Sequence, residues 1–236
     1  MITLQRSSLC FIIGLFGAAA TAIGADGAWK LHLRGGGQMV DLAADNQLEL
    51  AAQRPLTKDD IEIATRAWRF IESNTRPETG LVDSVAGFPS TTLWDQGSYL
   101  FGLVAARRIE IISDEIFRHR TQSFLGSFAR LPLFDGKLPN KAYDTRSLAM
   151  VNYQNEVSEQ GIGWSALDVA RLLLAFRTLE RLEPSFGPDV RAILANWDLG
   201  AMAESGELIG TEVKDGEVIY RQEGRLGYEQ YGARAA

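Results

Sequence analysis

The chain has 236 residues, 46% hydrophobic and 23% charged, with a formal net charge of −6. That length and composition suit one globular domain with a sizeable core, alone or with a tail. An acidic balance lacks the basic footprint of a nucleic-acid binder, so nucleic acid is excluded as a partner.

The N-terminus reads as a leader. Arg6 supplies one positive charge, an apolar run extends from Leu9 to Ala20, and small residues follow from Ala18 to Ala25. That is the order of a secretory signal peptide over residues 1–25. The run is shorter than the roughly 20 residues of a membrane span. The expectation is a periplasmic or secreted protein that leaves the membrane once the leader is cleaved.

Cleavage after Ala25 removes Cys10, the single cysteine. The mature chain then has no thiol nucleophile, disulfide or thiolate metal site. With His32 and His119 as the two histidines, a zinc site or a Ser-His-Asp triad lacks partners. No cofactor and no metal is expected, and any chemistry falls to carboxylates.

Residues 26–56 carry Gly35-Gly36-Gly37 and no sustained period, which predicts an extended lead-in. Helical spacing begins behind Thr57, with Asp60 as capping partner and Ile61, Ala64, Trp68 and Ile71 on one face. A second helix is predicted over about 97–112. A third is capped by Ser113 and carries Phe117, Phe124 and Phe128. Residues 132–163 read as a long irregular segment. A fourth helix starts at Ser165-Ala-Leu-Asp168 and runs to Leu182, apolar on more than one face. A fifth follows from Pro188. Lys214-Asp-Gly216 between two apolar runs predicts one small β-hairpin. A last helix begins near Gly227. The expected class is all-α, with long functional loops at one end.

Four segments combine aromatics, carboxylates and amides at or before helix starts: residues 91–98, 138–145, 161–168 and 220–231. Aromatic faces cover the apolar face of a pyranose, while carboxylates and amides bind its hydroxyls. Two carboxylates flanking a glycosidic bond suffice to hydrolyse it. The candidate acid and base are Asp95 and Glu223, with Asp168 and Glu229 in reserve. Trp94, Tyr143, Trp164 and Tyr228 are candidates for lining sugar subsites, and Asn140 and Arg225 for binding hydroxyls. Each has a structural reading beside this one. Asp95 and Asp168 sit where helix caps sit, Trp94 and Trp164 suit a core, and Glu223 and Glu229 suit pairing with Arg225.

Trp-Asp-Gln-Gly-Ser at 94–98, Leu-Pro-Asn at 138–140, Gly-Ile-Gly-Trp-Ser-Ala-Leu-Asp at 161–168 and Gln-Glu-Gly-Arg-Leu-Gly-Tyr-Glu-Gln-Tyr at 222–231 resemble the bacterial family called domain of unknown function 3131. The resemblance covers about residue 58 to the C-terminus. It implies a six-hairpin, (α/α) toroid glycosidase-like fold and a polysaccharide or oligosaccharide ligand, with no established catalytic pair to carry over. Family members continue past Glu-Gln-Tyr, so residues 57–236 would be the N-terminal part of a toroid. An incomplete toroid would associate through its exposed apolar face. Three readings follow: an exported glycoside hydrolase acting on a glucan or envelope polysaccharide, a non-catalytic glycan-binding or envelope-scaffolding domain, or an inactive fragment.

Overall fold

The computed structural model describes residues 54–224 and Gly232. The leader, the glycine-rich lead-in and the segment holding Arg225, Tyr228 and Glu229 lie outside the described residues, as does most of the helix expected near Gly227. The described residues carry five α-helices: α1 Lys58–Asn74, α2 Leu93–Arg108, α3 Asp114–Phe128, α4 Ala166–Leu182 and α5 Gly187–Leu194. None is long and apolar enough to cross a membrane.

Each of the first four helices starts on a side-chain cap. Thr57 and Asp60 form a reciprocal capping box, with Thr57 Oγ1 accepting from the Asp60 amide at 3.2 Å and the Thr57 amide donating to Asp60 Oδ2 at 2.8 Å. Such a cap contributes about 1 kcal/mol by satisfying amides that lack an intrahelical acceptor. Ser113 and Ser165 cap α3 and α4 as their sequences require. Helix α2 starts earlier than expected, at Leu93, because Thr92 Oγ1 accepts from the Asp95 amide at 3.3 Å. Trp94 and Asp95 therefore stand inside its first turn.

Helix α2 packs along α4. Gly97 makes close approach possible, since a β-carbon there would lie 2.9 Å from Arg171 Cγ. Leu100 and Leu103 meet Leu172 and Phe176 in a core from which water is excluded. An aromatic cluster extends this core across three helices. Phe124 and Phe128 lie 4.5 Å apart, and Phe176 meets Phe128 edge-on at 5.9 Å.

The segment 132–163 is more ordered than its irregular sequence suggests. Strands β2 Leu133–Phe134 and β3 Leu138–Pro139 pair with each other, and β4 Ala142–Asp144 pairs with β1 Ser90–Thr92. Strands β5 Ala203–Glu204, β6 Glu207–Lys214 and β7 Glu217–Gln222 form the third sheet, whose β6–β7 hairpin turns at Asp215-Gly216 as expected. The single small hairpin expected is thus joined by two further small antiparallel sheets. Short pairings of two or three residues carry almost no periodic signal, which is why the sequence pattern misses them.

Candidate functional site

Two helix N-termini and one strand end bring three carboxylates together. Asp95 stands in the first turn of α2, Asp168 in the first turn of α4, and Glu223 follows β7. Asp95 Oδ2 accepts from Ser84 Oγ at 2.5 Å and from Thr92 Oγ1 at 2.8 Å. Two hydroxyl donors suit an ionised carboxylate.

Glu223 reaches back across the sheet. Its Oε2 accepts from the Ala166 amide and, at 3.3 Å, from the Leu167 amide. These are unpaired donors at the positive end of α4, where a negative group is favoured. The carboxylate lies against Gly210, where a β-carbon would stand 2.8 Å from it. The strand is held in place by Trp164 and Thr211. The Thr211 amide donates to Trp164 O, and the Trp164 amide to Thr211 Oγ1, each at 2.9 Å.

Asp168 is half-buried one step further along α4. Burial pushes its carboxyl up to about 6, against the hydrogen bond from Ser165, and the charges of Glu223 and Asp95 push it further the same way. Both Glu223 and Asp95 thus act on Asp168 through space. Burial that raises one carboxyl of a set separates its protonation from that of its neighbours. Up to about pH 6, Asp168 is a carboxyl that burial keeps protonated.

Tyr153 completes this region. It is exposed on a tight turn and feels the charges of Asp168 and Glu223. Asn152 Oδ1 accepts from the amides of Gln154 and Glu156, and Asn155 Nδ2 donates to the buried Asp144 at 3.0 Å. Sequence reading passed over Tyr153 because it stands outside the four aromatic segments. Lys141, which lowers Asp168, lies inside the segment 138–145 but is neither aromatic nor a carboxylate or amide.

A family model described as "Protein of unknown function (DUF3131)" matches residues 62–236. The chain belongs to this family. No curated protein matches it. Among solved structures it is similar to one described as a "putative glucoamylase" from Bacteroides fragilis, at 13% sequence identity and a TM-score of 0.52. The likeness covers 68% of this chain and 42% of that one, so the chain spans less than half the length of the protein it matches. At that identity the likeness concerns the fold alone.

Within this DUF3131 chain, the residues proposed from sequence to touch sugar divide. Trp94 is half-buried, with the Arg171 guanidinium 5.0 Å from its ring centroid, and lies one residue before Asp95. Asn140, Tyr143 and Trp164 take structural positions instead. Asn140 is fully buried; its Nδ2 donates to Ala142 O at 2.7 Å and its Oδ1 accepts from the Ile162 amide at 2.7 Å. The Tyr143 hydroxyl donates to Pro132 O and accepts from the Asn140 amide, both at 2.7 Å. Trp164 is fully buried and donates from Nε1 to Ile209 O at 2.9 Å. In each case a buried polar atom needs a partner, and the nearest backbone supplies it. All three are buried and bonded to backbone groups. Glu229, Arg225 and Tyr228 lie outside the described residues.

Proposed function

We propose that the chain is an exported carbohydrate-active domain that hydrolyses a glycosidic bond in a glucan or envelope polysaccharide. The carrying observation is Asp168, held up to about 6 by burial beside the carboxylates of Asp95 and Glu223. Glycoside hydrolysis needs one carboxylic acid that protonates the leaving oxygen and one carboxylate that acts as base or nucleophile. Asp168 takes the acid role. Asp95, oriented by the hydroxyls of Ser84 and Thr92, takes the carboxylate role. Glu223, bonded to the α4 amides, raises Asp168 and holds the strand in place. This ordering differs from the pair favoured by sequence, where Glu223 stood before Asp168.

A fold likeness to a putative glucoamylase agrees with the toroid of helical hairpins that the family resemblance implies, of which the described helices would form a part. Trp94 and the exposed Tyr153 offer aromatic surface beside the acid. The leader sequence supports export, which would bring the site to extracytoplasmic polysaccharide.

The test is release of reducing sugar by the purified chain from a panel of α-glucans, β-glucans and envelope polysaccharides. Activity is expected on at least one, with Asp168→Asn and Asp95→Asn each reducing it by about two orders of magnitude or more. No release from any substrate, or equal release by both variants and wild type, overturns the hydrolase reading. Calorimetric binding of an oligosaccharide without hydrolysis would assign the domain as a glycan binder.

A further inference from the structure

A second polar cleft lies away from the carboxylates, between the end of α1 with its following turn and the middle of α3. Its volume is about 220 Å³, and Thr75, Arg76, Gly80, His119, Arg120 and Ser123 face it. The two arginines differ in one respect. Arg76 is committed to the buried Asp83, donating from both Nε and Nη2 to its carboxylate. Arg120 bonds no carboxylate among the described residues. Its Nη1 donates to Thr75 Oγ1 at 2.9 Å, and its guanidinium lies 5.2 Å from the centroid of the Trp68 ring.

Those contacts orient Arg120 without neutralising it. Thr75 Oγ1 passes its own proton to Ile71 O at 2.6 Å, so the hydroxyl is fixed as an acceptor towards Arg120. Trp68 is buried and covers one face of the guanidinium. The arginine is half-buried, comparable to Arg76 and Arg107, and each of those holds a carboxylate. A partly desolvated guanidinium with a positioned fork and no counter-ion is a receptor for a planar or tetrahedral oxyanion. Ser123 stands one turn beyond Arg120 on the same helix face and adds a hydroxyl, and His119 adds an imidazole at the rim. Glu72 also faces the cleft, but it is exposed and forms no ion pair among the described residues, so water screens it.

We propose that this cleft binds a small oxyanion, a carboxylate or phosphate group, with Arg120 as its anchor. The site does not depend on the hydrolase reading.

His119 is a built-in probe, because the chain has two histidines. The experiment follows the imidazole signals of the purified chain by NMR during titration with sodium phosphate or sodium glucuronate, against sodium chloride at equal ionic strength. One histidine signal set is expected to move saturably, in the millimolar range or tighter, with at least one of the two oxyanions, and to vanish in His119→Gln. Saturation by phosphate alone assigns a phosphate group, by glucuronate alone a carboxylate, and by both a general oxyanion site. Arg120→Gln should weaken the binding by about tenfold or more. Should Arg120→Gln fail to fold, Ser123→Asp replaces it: a resident carboxylate one turn from Arg120 should occupy the guanidinium and abolish binding. Shifts no larger than chloride produces, or unchanged affinity in the folded variant, overturn the proposal.

Discussion

Glu223 accepts hydrogen bonds from the first amides of the helix on which Asp168 stands. One contact therefore does two things. It satisfies the N-terminus of α4, and it places a negative charge close enough to Asp168 to disfavour its ionisation.

Glu223→Gln should separate these effects. The amide oxygen still accepts, but the charge is lost, so the fold should weaken by about 1 kcal/mol. With one like charge gone, Asp168 should titrate lower, while burial, the larger cause, keeps it above an ordinary aspartate. Thermal melts and carboxyl-carbon NMR titration of Asp168 in the two proteins check both parts.

Stability should depend on pH through Asp168. Its folded value, about 6, lies above its ordinary value of 3.8. Between these values the unfolded chain has lost the proton and the folded chain keeps it. Folding then takes up a proton, and the contribution of Asp168 to stability is lost as pH rises from about 4 to about 6. Asp168→Asn should remove this dependence and raise stability at neutral pH by on the order of 1–3 kcal/mol, unless its amide leaves a hydrogen bond unmet. Urea titrations at a series of pH values, compared between the two proteins, test the sign. The same group predicts the alkaline limb of any pH–rate profile, since the acid must stay protonated, with activity falling above about pH 6.

Gly163→Ala should be severe. Gly163 has φ of +108°, and a β-carbon there would stand 2.2 Å from Thr211 O, on the strand that carries the sheet to Glu223. A loss of about 3 kcal/mol or more is expected. Gly136→Ala is the control. Its φ is +65° with nothing within 4 Å of the added carbon, so about 1 kcal/mol is expected from backbone conformation alone. Chemical denaturation distinguishes the two.

Asn140→Ala should act through folding. It leaves the Ile162 amide, partly buried, without its acceptor and the buried Ala142 O without its donor. A loss of about 2–4 kcal/mol is expected. If the folded fraction of the variant binds sugar as wild type does, Asn140 is a structural residue. A changed affinity at equal folded fraction would return it to the sugar contacts.

Much of the fold is legible in the sequence because helices advertise themselves locally. Thr57 with Asp60, Ser113, and Ser165 with Asp168 mark three helix starts through hydrogen bonds spanning three residues. The Asp215-Gly216 turn is equally local, with both residues at positive φ. The start of α2 was misplaced because Thr92 is a weaker signal in a threonine-serine stretch, and its cap shows only once Asp95 folds back on it.

The candidate site was legible in part. Composition marked the segments that hold Asp95, Asp168 and Glu223, since each lies at an element end where polar groups accumulate. The sequence determined that carboxyl groups greatly outnumber thiols and imidazoles, 30 against one cysteine and two histidines, because residue types are set before folding begins. It also determined most of the helices, because capping and periodicity act over a few residues. Only the tertiary structure shows that Asp168, of these carboxylates, is the one burial holds up. That rise depends on burial and on charges brought from residues 73 and 55 positions away in the chain, Asp95 and Glu223. The tertiary structure likewise decided that Asn140, Tyr143 and Trp164 are buried, because burial is a property of the packed chain and not of any residue in it.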